Sequence, residues 1–397
     1  MLRDTKLLVL LLAGSLTTMA GGVVAPIWPE MVQQLHLEPG LAANLVSIHC
    51  MTIAIFSPLL GLLADRIGRS RVLIASLLLY ALFGTAGAFV QSLAPLLVTR
   101  GLLGVASGGI AAAGLGLLAS MYEGQARSQA LGQATSTLTI AGIIFPLLGG
   151  WVGSQQWHLT FYLYGLGFPI ALLVAFLFRE KQAKQTKTKT KELRRELSHV
   201  FRQHSVQWLL LTLCLASITM YAVVIYAPLY LKETIGAGTA LNGIVLASRA
   251  IGAAIISAFG SRRFARLLGV ERSTAVGFGL MALTLTTIPL LHQLSLILVT
   301  AVLFGVGFGT VLPNLYSALA SLAPTKLRSS VLAAGTGAGF LGQFLCPILL
   351  GPLLSYGGLE VVFYAAATVS MVAGMLLMLI GTTAPLAKQF PTDPPEA

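Results

Sequence analysis

The sequence predicts an all-α integral membrane protein with twelve transmembrane helices in two pseudo-symmetric six-helix bundles. Three observations predict this fold. Hydrophobic residues make up 56% of the 397-residue chain and charged residues 10%, too little charge to cover a soluble domain of this length. Apolar runs of about 20 residues, each able to cross a bilayer core as a helix, recur between short polar separators. The second half of the chain also repeats the first.

The runs lie at 7–29, 41–63, 72–91, 94–121, 129–152 and 159–178, then at 207–231, 240–260, 273–291, 294–318, 329–351 and 358–381. The first run is long, carries Pro26 and Pro29, and leads directly into the alternating pattern, so it reads as an uncleaved first span rather than a signal peptide. Cys50, Cys214 and Cys346 all fall within apolar runs, which implies neither a disulfide framework nor a metal site. Residues 180–206, EKQAKQTKTKTKELRRELSHVFRQHSV, form the one long polar stretch. Its first part is a basic linker, and 193–201 predicts a helix on the inner membrane surface, where basic residues meet anionic lipid. The expected organisation is an N-terminal bundle (1–179), a cytoplasmic central loop (180–206), and a C-terminal bundle with a short cytoplasmic tail (207–397).

Charge sets the orientation. With the N-terminus in the cytoplasm, the inner segments hold Arg3 and Lys6; Arg66, Arg69 and Arg71; Arg127; the 179–202 cluster; Arg262, Arg263, Arg266 and Arg272; Lys326 and Arg328; and Lys388. The outer loops hold only Lys232. This bias predicts both termini inside, in a bacterial inner (plasma) membrane. It also accounts for the net charge of +12 through topology, not nucleic-acid binding.

The repeat is ungapped over spans 4 and 10. LVTRGLLGVASGGIAAAGLGLLAS (97–120) aligns with LVTAVLFGVGFGTVLPNLYSALAS (298–321), so that Leu97, Val98, Thr99, Gly104, Gly108, Ala119 and Ser120 recur. The same offset carries Arg127 and Ser128 onto Arg328 and Ser329, Pro146 onto Pro347, and Gly150 onto Gly351. Phe161–Tyr162 recurs as Phe363–Tyr364. Two such halves around a central cavity are the architecture of many secondary transporters. Arg100 maps onto Ala301, so the fold does not need an arginine there.

Residues 61–73, GLLADRIGRSRVL, closely resemble the signature of the major facilitator superfamily, with Ser70 where a basic residue is usual. RGLLG (100–104) in span 4 is similar to the family's motif with a membrane-embedded arginine. GIIFPLLGG (142–150) in span 5 is similar to the glycine-proline-glycine motif of drug/proton antiporters, with Phe145 where a glycine is usual. The resemblance covers nearly the whole chain. It implies the major facilitator fold and a monomeric secondary transporter, not an enzyme, that needs no cofactor or metal. Its expected activity is export of a small organic molecule by alternating access, in exchange for protons. The alternatives are an uptake permease or uniporter of an anionic metabolite, or a translocator of lipid-like substrates. No phosphate-loop motif is present, which argues against ATP-driven pumping by this chain.

The resemblance also implies site roles. Asp65 is expected to face the inner start of span 11, near 327–330, as a conformational gate formed with Gly61, Arg66, Gly68, Arg69 and Arg71. Glu123 is expected to pair with Arg69. In span 5, Gly142, Pro146, Gly149 and Gly150 would bend the helix and permit tight packing; the same residues also suit a packing motif that sets no direction of transport.

No aspartate or glutamate lies well within a span. Many exporters of cationic drugs carry a carboxylate in span 1, where this chain offers Ser15, Thr17 and Thr18 before Glu30 at the outer edge. The spans instead hold Arg100, His49 and Arg249, the candidates for proton coupling or substrate binding. Arg100 either snorkels to the outer interface or takes a coupling role. Arg249 lies near the midplane, as a structural arginine or a functional one. His49, at almost the same depth in span 2, can carry a proton near neutral pH. Thr17, Thr18, Tyr221, Tyr226, Asn314, Tyr316 and Gln343 are candidates to line a cavity. Two intramembrane positive charges with no balancing acid point to a substrate that is anionic or amphipathic. The remaining expected partners are protons and membrane lipids.

Overall fold

The computed structural model describes residues 4–178, 190–324 and 327–383. Arg3, Lys326, Lys388, most of the tail and linker residues 180–189 lie outside them. Among the described residues, eleven helices are long and apolar enough to cross a membrane, and the last is long enough to cross twice.

Helix α1 (Thr5–Gly22) starts at Asp4, whose side chain caps it by accepting from the Lys6 amide. The expected span 7–29 is not continuous. Pro26 has no N–H for the Gly22 carbonyl, so the chain turns and resumes as α2 (Trp28–Gln34), with Pro29 in its first turn. Helices α3 (Pro39–Ile67), α4 (Arg69–Ala86), α5 (Leu93–Met121) and α6 (Gly124–Gly153) follow. The sixth crossing is built from α7 (Leu159–Tyr162), a 3-10 turn and α8 (Gly167–Leu177). Helix α9 (Thr190–Arg202) forms in the central loop. Its Leu197, Val200 and Phe201 pack on the core of the second half rather than turning away from the protein.

The second half contains α10 (His204–Ile235) and α11 (Thr239–Ile255), a π-helical stretch at 256–260, then α12 (Ser261–Leu268), α13 (Val270–Thr287), α14 (Leu294–Leu322) and α15 (Arg328–Thr383). Helix α15 breaks at Gly357–Gly358, where Gly358 has φ +70°, so it supplies both spans 11 and 12. The repeat is visible in the backbone. Gly68 joins α3 to α4 at φ 110°, and Gly269, its partner in the repeat, joins α12 to α13 at φ 82°. A side chain at either position would be strained.

The apolar core forms two main clusters, one from residues 7–174 and one mostly from residues 200–377. The halves meet where α3 packs on α15 and α6 on α11. The two ends of this interface differ. At the face away from the chain start, the Trp28 indole donates to the Ile225 carbonyl (2.6 Å) and Asn242 to the Pro26 carbonyl (3.3 Å). There too, Thr239 donates to the Gly150 carbonyl (3.0 Å), and Lys232 pairs with Glu30 at 2.6 Å. A Cβ on Gly150 would lie 2.5 Å from the Thr239 carbonyl oxygen, so α6 and α11 meet backbone to backbone. This end is sealed. At the opposite, basic face, the polar contacts of Asp65, Arg69, Tyr122 and Arg328 stay within their own halves.

Candidate functional site

At mid-depth, α1, α3, α5, α10 and α15 converge. Arg100 is only 2% exposed. It donates to the Tyr164 hydroxyl (2.8 Å), the Ala20 carbonyl (2.6 Å) and the Leu45 carbonyl (3.3 Å). The Tyr164 hydroxyl also donates to Ala20 (2.9 Å), and Tyr80 packs edge-on against the Tyr164 ring. The structure therefore corrects the snorkelling alternative. It also shows that Arg100 does not lack partners: carbonyl and hydroxyl dipoles surround the charge and tie α5 to α1, α3 and the sixth crossing.

Buried His49 joins this group. Its Nδ1 lies 3.4 Å from an Arg100 nitrogen and its Nε2 lies 3.4 Å from the Cys50 sulfur. A guanidinium can only donate, so Nδ1 is the acceptor and a neutral His49 carries its proton on Nε2, toward Cys50. The Cys50 thiol faces Gln343 Oε1 (3.1 Å) and the Tyr221 hydroxyl (3.7 Å), and Tyr221 donates to the Val46 carbonyl (2.8 Å). The result is a polar chain from Arg100 in the first half to Tyr221 and Gln343 in the second. Cys50, Tyr80 and Tyr164 were not among the sequence candidates. Nothing in their apolar surroundings marks them, because apart from His49 beside Cys50 their partners are distant in sequence, such as Gln343 for Cys50, Leu16 for Tyr80 and Arg100 for Tyr164.

Arg249 is different. It is half-buried, its Nε is buried with no partner, and its guanidinium bonds to no described residue. Tyr226 is buried with its hydroxyl unbonded. Asn314 is buried and donates to Ser273 (2.8 Å), tying α14 to α13. Tyr316 reaches Thr336 (3.4 Å), Thr17 bonds the Gly14 carbonyl in its own helix, and Thr18 is half-buried.

The 61–73 motif sits at the basic face. Arg69 donates to Asp65 (3.0 and 2.9 Å) and to the Gly116 carbonyl (2.6 Å). These contacts use the guanidinium, so the expected Glu123 pairing is not made; Glu123 is exposed at the start of α6. Asp65 itself is 60% exposed, with Arg69 as its partner and no bond to 327–330. Arg66 is exposed and Arg71 bonds the Ile67 carbonyl. Gly61 is not at a steric limit here, since a Cβ would sit 3.6 Å from Ala112, an ordinary contact. In span 5, α6 runs as one helix through Pro146. Gly142 has room for a methyl group beside Ala250, whereas Gly149 packs directly on the Val23 backbone. Nearby at the basic face, Tyr122 donates to Asp4 (2.5 Å). That bond holds the Asp4 carboxyl below its usual range, while burial, reinforced by Asp4, pushes Tyr122 up to about 12.

The Major Facilitator Superfamily model matches residues 10–347, and a second match covers 230–396. The chain is 27% identical to the probable 4-methylmuconolactone transporter of Cupriavidus pinatubonensis, over 70% of this chain and 67% of that protein. It is 23% identical to the bacillibactin exporter of Bacillus subtilis, over 91% and 92%. Among solved structures, a bacterial homolog of the human lysosomal transporter Spinster, inward-facing and unoccupied, superposes with a TM-score of 0.81 at 16% identity, covering 98% of each chain. At that identity the likeness shows the fold alone.

Proposed function

Because the chain belongs to the Major Facilitator Superfamily, and is thus a membrane transporter rather than an enzyme, we propose that it exports a small organic molecule by alternating access, driven by proton antiport. Its main support is the difference between the two faces: one is tied across by Trp28, Asn242 and the Glu30–Lys232 pair, whereas at the other the polar contacts of Asp65, Arg69, Tyr122 and Arg328 stay within each half. The basic face is cytoplasmic by its charge, and on this reading the state is inward-open. The moving units are 1–179 and 207–397, joined by the central loop.

Each face then has its own latch. Glu30–Lys232 and the Trp28 and Asn242 bonds hold the outer face in the present state. Asp65 pairs only within its own half here, with Arg69; its gate contact forms when the basic face closes. There the carboxylate reaches the first turn of α15, where unpaired N–H groups favour a negative charge. His49 serves as the proton carrier of the cycle when its Nδ1 is released from Arg100, since that nitrogen is the one free to take up a proton. Export is supported by the likeness to the bacillibactin exporter and by the span 5 motif.

Sidedness is read by single cysteines at Glu196 and Gly238 in a cysteine-free background. An impermeant maleimide added to intact cells labels 238 and leaves 196 unlabelled; labelling of both from one side contradicts the topology. Direction is read in inverted vesicles. With the lumen acidified, the chain takes up members of a panel of matched anionic, neutral and cationic dyes, and luminal pH rises as they enter. Substrate that instead moves together with protons, entering vesicles acidified on the outside, would establish a proton-coupled uptake permease.

A further inference from the structure

The two intramembrane arginines have opposite surroundings. Arg100 is fully engaged by carbonyls and Tyr164 of its own half. Arg249 has a buried Nε with no acceptor and no bond to any described residue. No aspartate or glutamate lies deep enough in a span to balance it. An unpaired guanidinium in a water-poor site is costly, and one acceptor with two oxygens relieves most of that cost.

Two features fix where Arg249 points and how firmly it is held. Asn242, Leu246 and Arg249 recur at i, i+4 and i+7, so they share one face of α11. Asn242 on that face reaches across to the Pro26 carbonyl of the first half. Arg249 therefore faces the space between the halves, about two turns below the sealed end. Its backbone is held tightly, because a Cβ on Gly305 of α14 would collide with the Arg249 carbonyl oxygen. The charge is thus mounted on a firmly held element close to the sealed end of the interface.

We propose that Arg249 is the anion-binding residue of the transport pathway and that the substrate is a small organic acid whose carboxylate, or a similar planar oxygen pair, docks on its guanidinium. While the basic face is open, water hydrates the arginine. When the site closes, water leaves, and a bound anion is the partner that keeps the charge satisfied. Loaded protein then closes more readily than empty protein, as an exchanger requires. Arg100 cannot serve in this way, since a ligand would have to displace bonds already made. This assignment rests on the transport reading, but equilibrium binding depends on neither direction nor coupling.

The test uses purified full-length protein with three matched probes: 1-naphthoate, 1-naphthamide and 1-naphthylmethylammonium. Wild type is expected to bind naphthoate about tenfold or more tighter than the amide, the effect of one charge-assisted hydrogen bond, and to bind the cation worst. Arg249→Gln removes the preference and Arg249→Lys retains part of it. Should a variant not fold, phenylglyoxal modification of wild-type Arg249, mapped by mass spectrometry, is slowed by naphthoate and not by naphthamide. Equal affinities, no naphthoate binding, a preference that survives in Arg249→Gln, or modification unaffected by naphthoate would each overturn the assignment. Naphthoate binding at Arg249 without export in vesicles would leave the assignment standing and remove the export reading.

Discussion

Asp65→Asn is expected to abolish or strongly slow transport while leaving the protein folded. In the present state the carboxylate is 60% exposed and its partner is Arg69, four residues away. An exposed i, i+4 pair contributes well under about 1 kcal/mol, so the melting temperature should barely move. The effect arises in the other state, where the contact with the start of α15 is made. A charge at a helix N-terminus contributes roughly 0.3–2 kcal/mol. That is enough to shift a nearly balanced conformational equilibrium roughly 2- to 30-fold. The check is the rate of dye transport by reconstituted protein beside its melting temperature in detergent. Near-normal transport by folded mutant protein would count against the gate.

Arg100→Ala is expected to cost stability first. It removes three hydrogen bonds that join four segments of the first half and leaves a cavity beside Tyr164. Polar contacts within membranes average about 0.6 kcal/mol each, and bonds from a charged donor about 1.5 or more. The loss therefore falls between roughly 2 and 5 kcal/mol, with a clear drop in melting temperature and yield. Lysine cannot reproduce the planar fork, so Arg100→Lys recovers only part of it. Tyr164→Phe, which removes the hydroxyl alone, costs less. An Arg100→Ala protein that melts like wild type but does not transport would move the arginine from structural tie to direct participant.

The architecture was legible because its signals are local or periodic: apolar runs, basic loops and a constant repeat offset. The same applies to Gly68, whose place between two spans in a known signature marks the turn it makes. Two kinds of feature were not legible. The break after Gly22 was signalled by Pro26 and Pro29, but hydropathy alone carried span 1 through them. Partner identity was hidden altogether. Arg100 and Arg249 look alike in sequence, yet one is surrounded by carbonyls and the other is not. Asn314, a candidate to line the cavity, bonds Ser273 of α13, a partner 41 residues away that a single sequence does not reveal. The Glu123–Arg69 pairing failed for a related reason: the nearer Asp65 and Gly116 take the guanidinium in this state.

If the two faces open in alternation, paired spin labels across each of them should report it. One pair, Leu63 and Ser330, reports the basic face; the other, Gln33 and Gly238, reports the sealed face. All four positions are exposed, and both pairs bridge the two halves. Pulsed distance measurements on reconstituted protein should show two populations with reciprocal changes, the 63–330 distance shortening where the 33–238 distance lengthens. Glu30→Gln, which removes the ion pair to Lys232, should enrich the population with the parted outer face. Distances that change together, or that stay single in wild type and in Glu30→Gln alike, would contradict alternating access by these two halves.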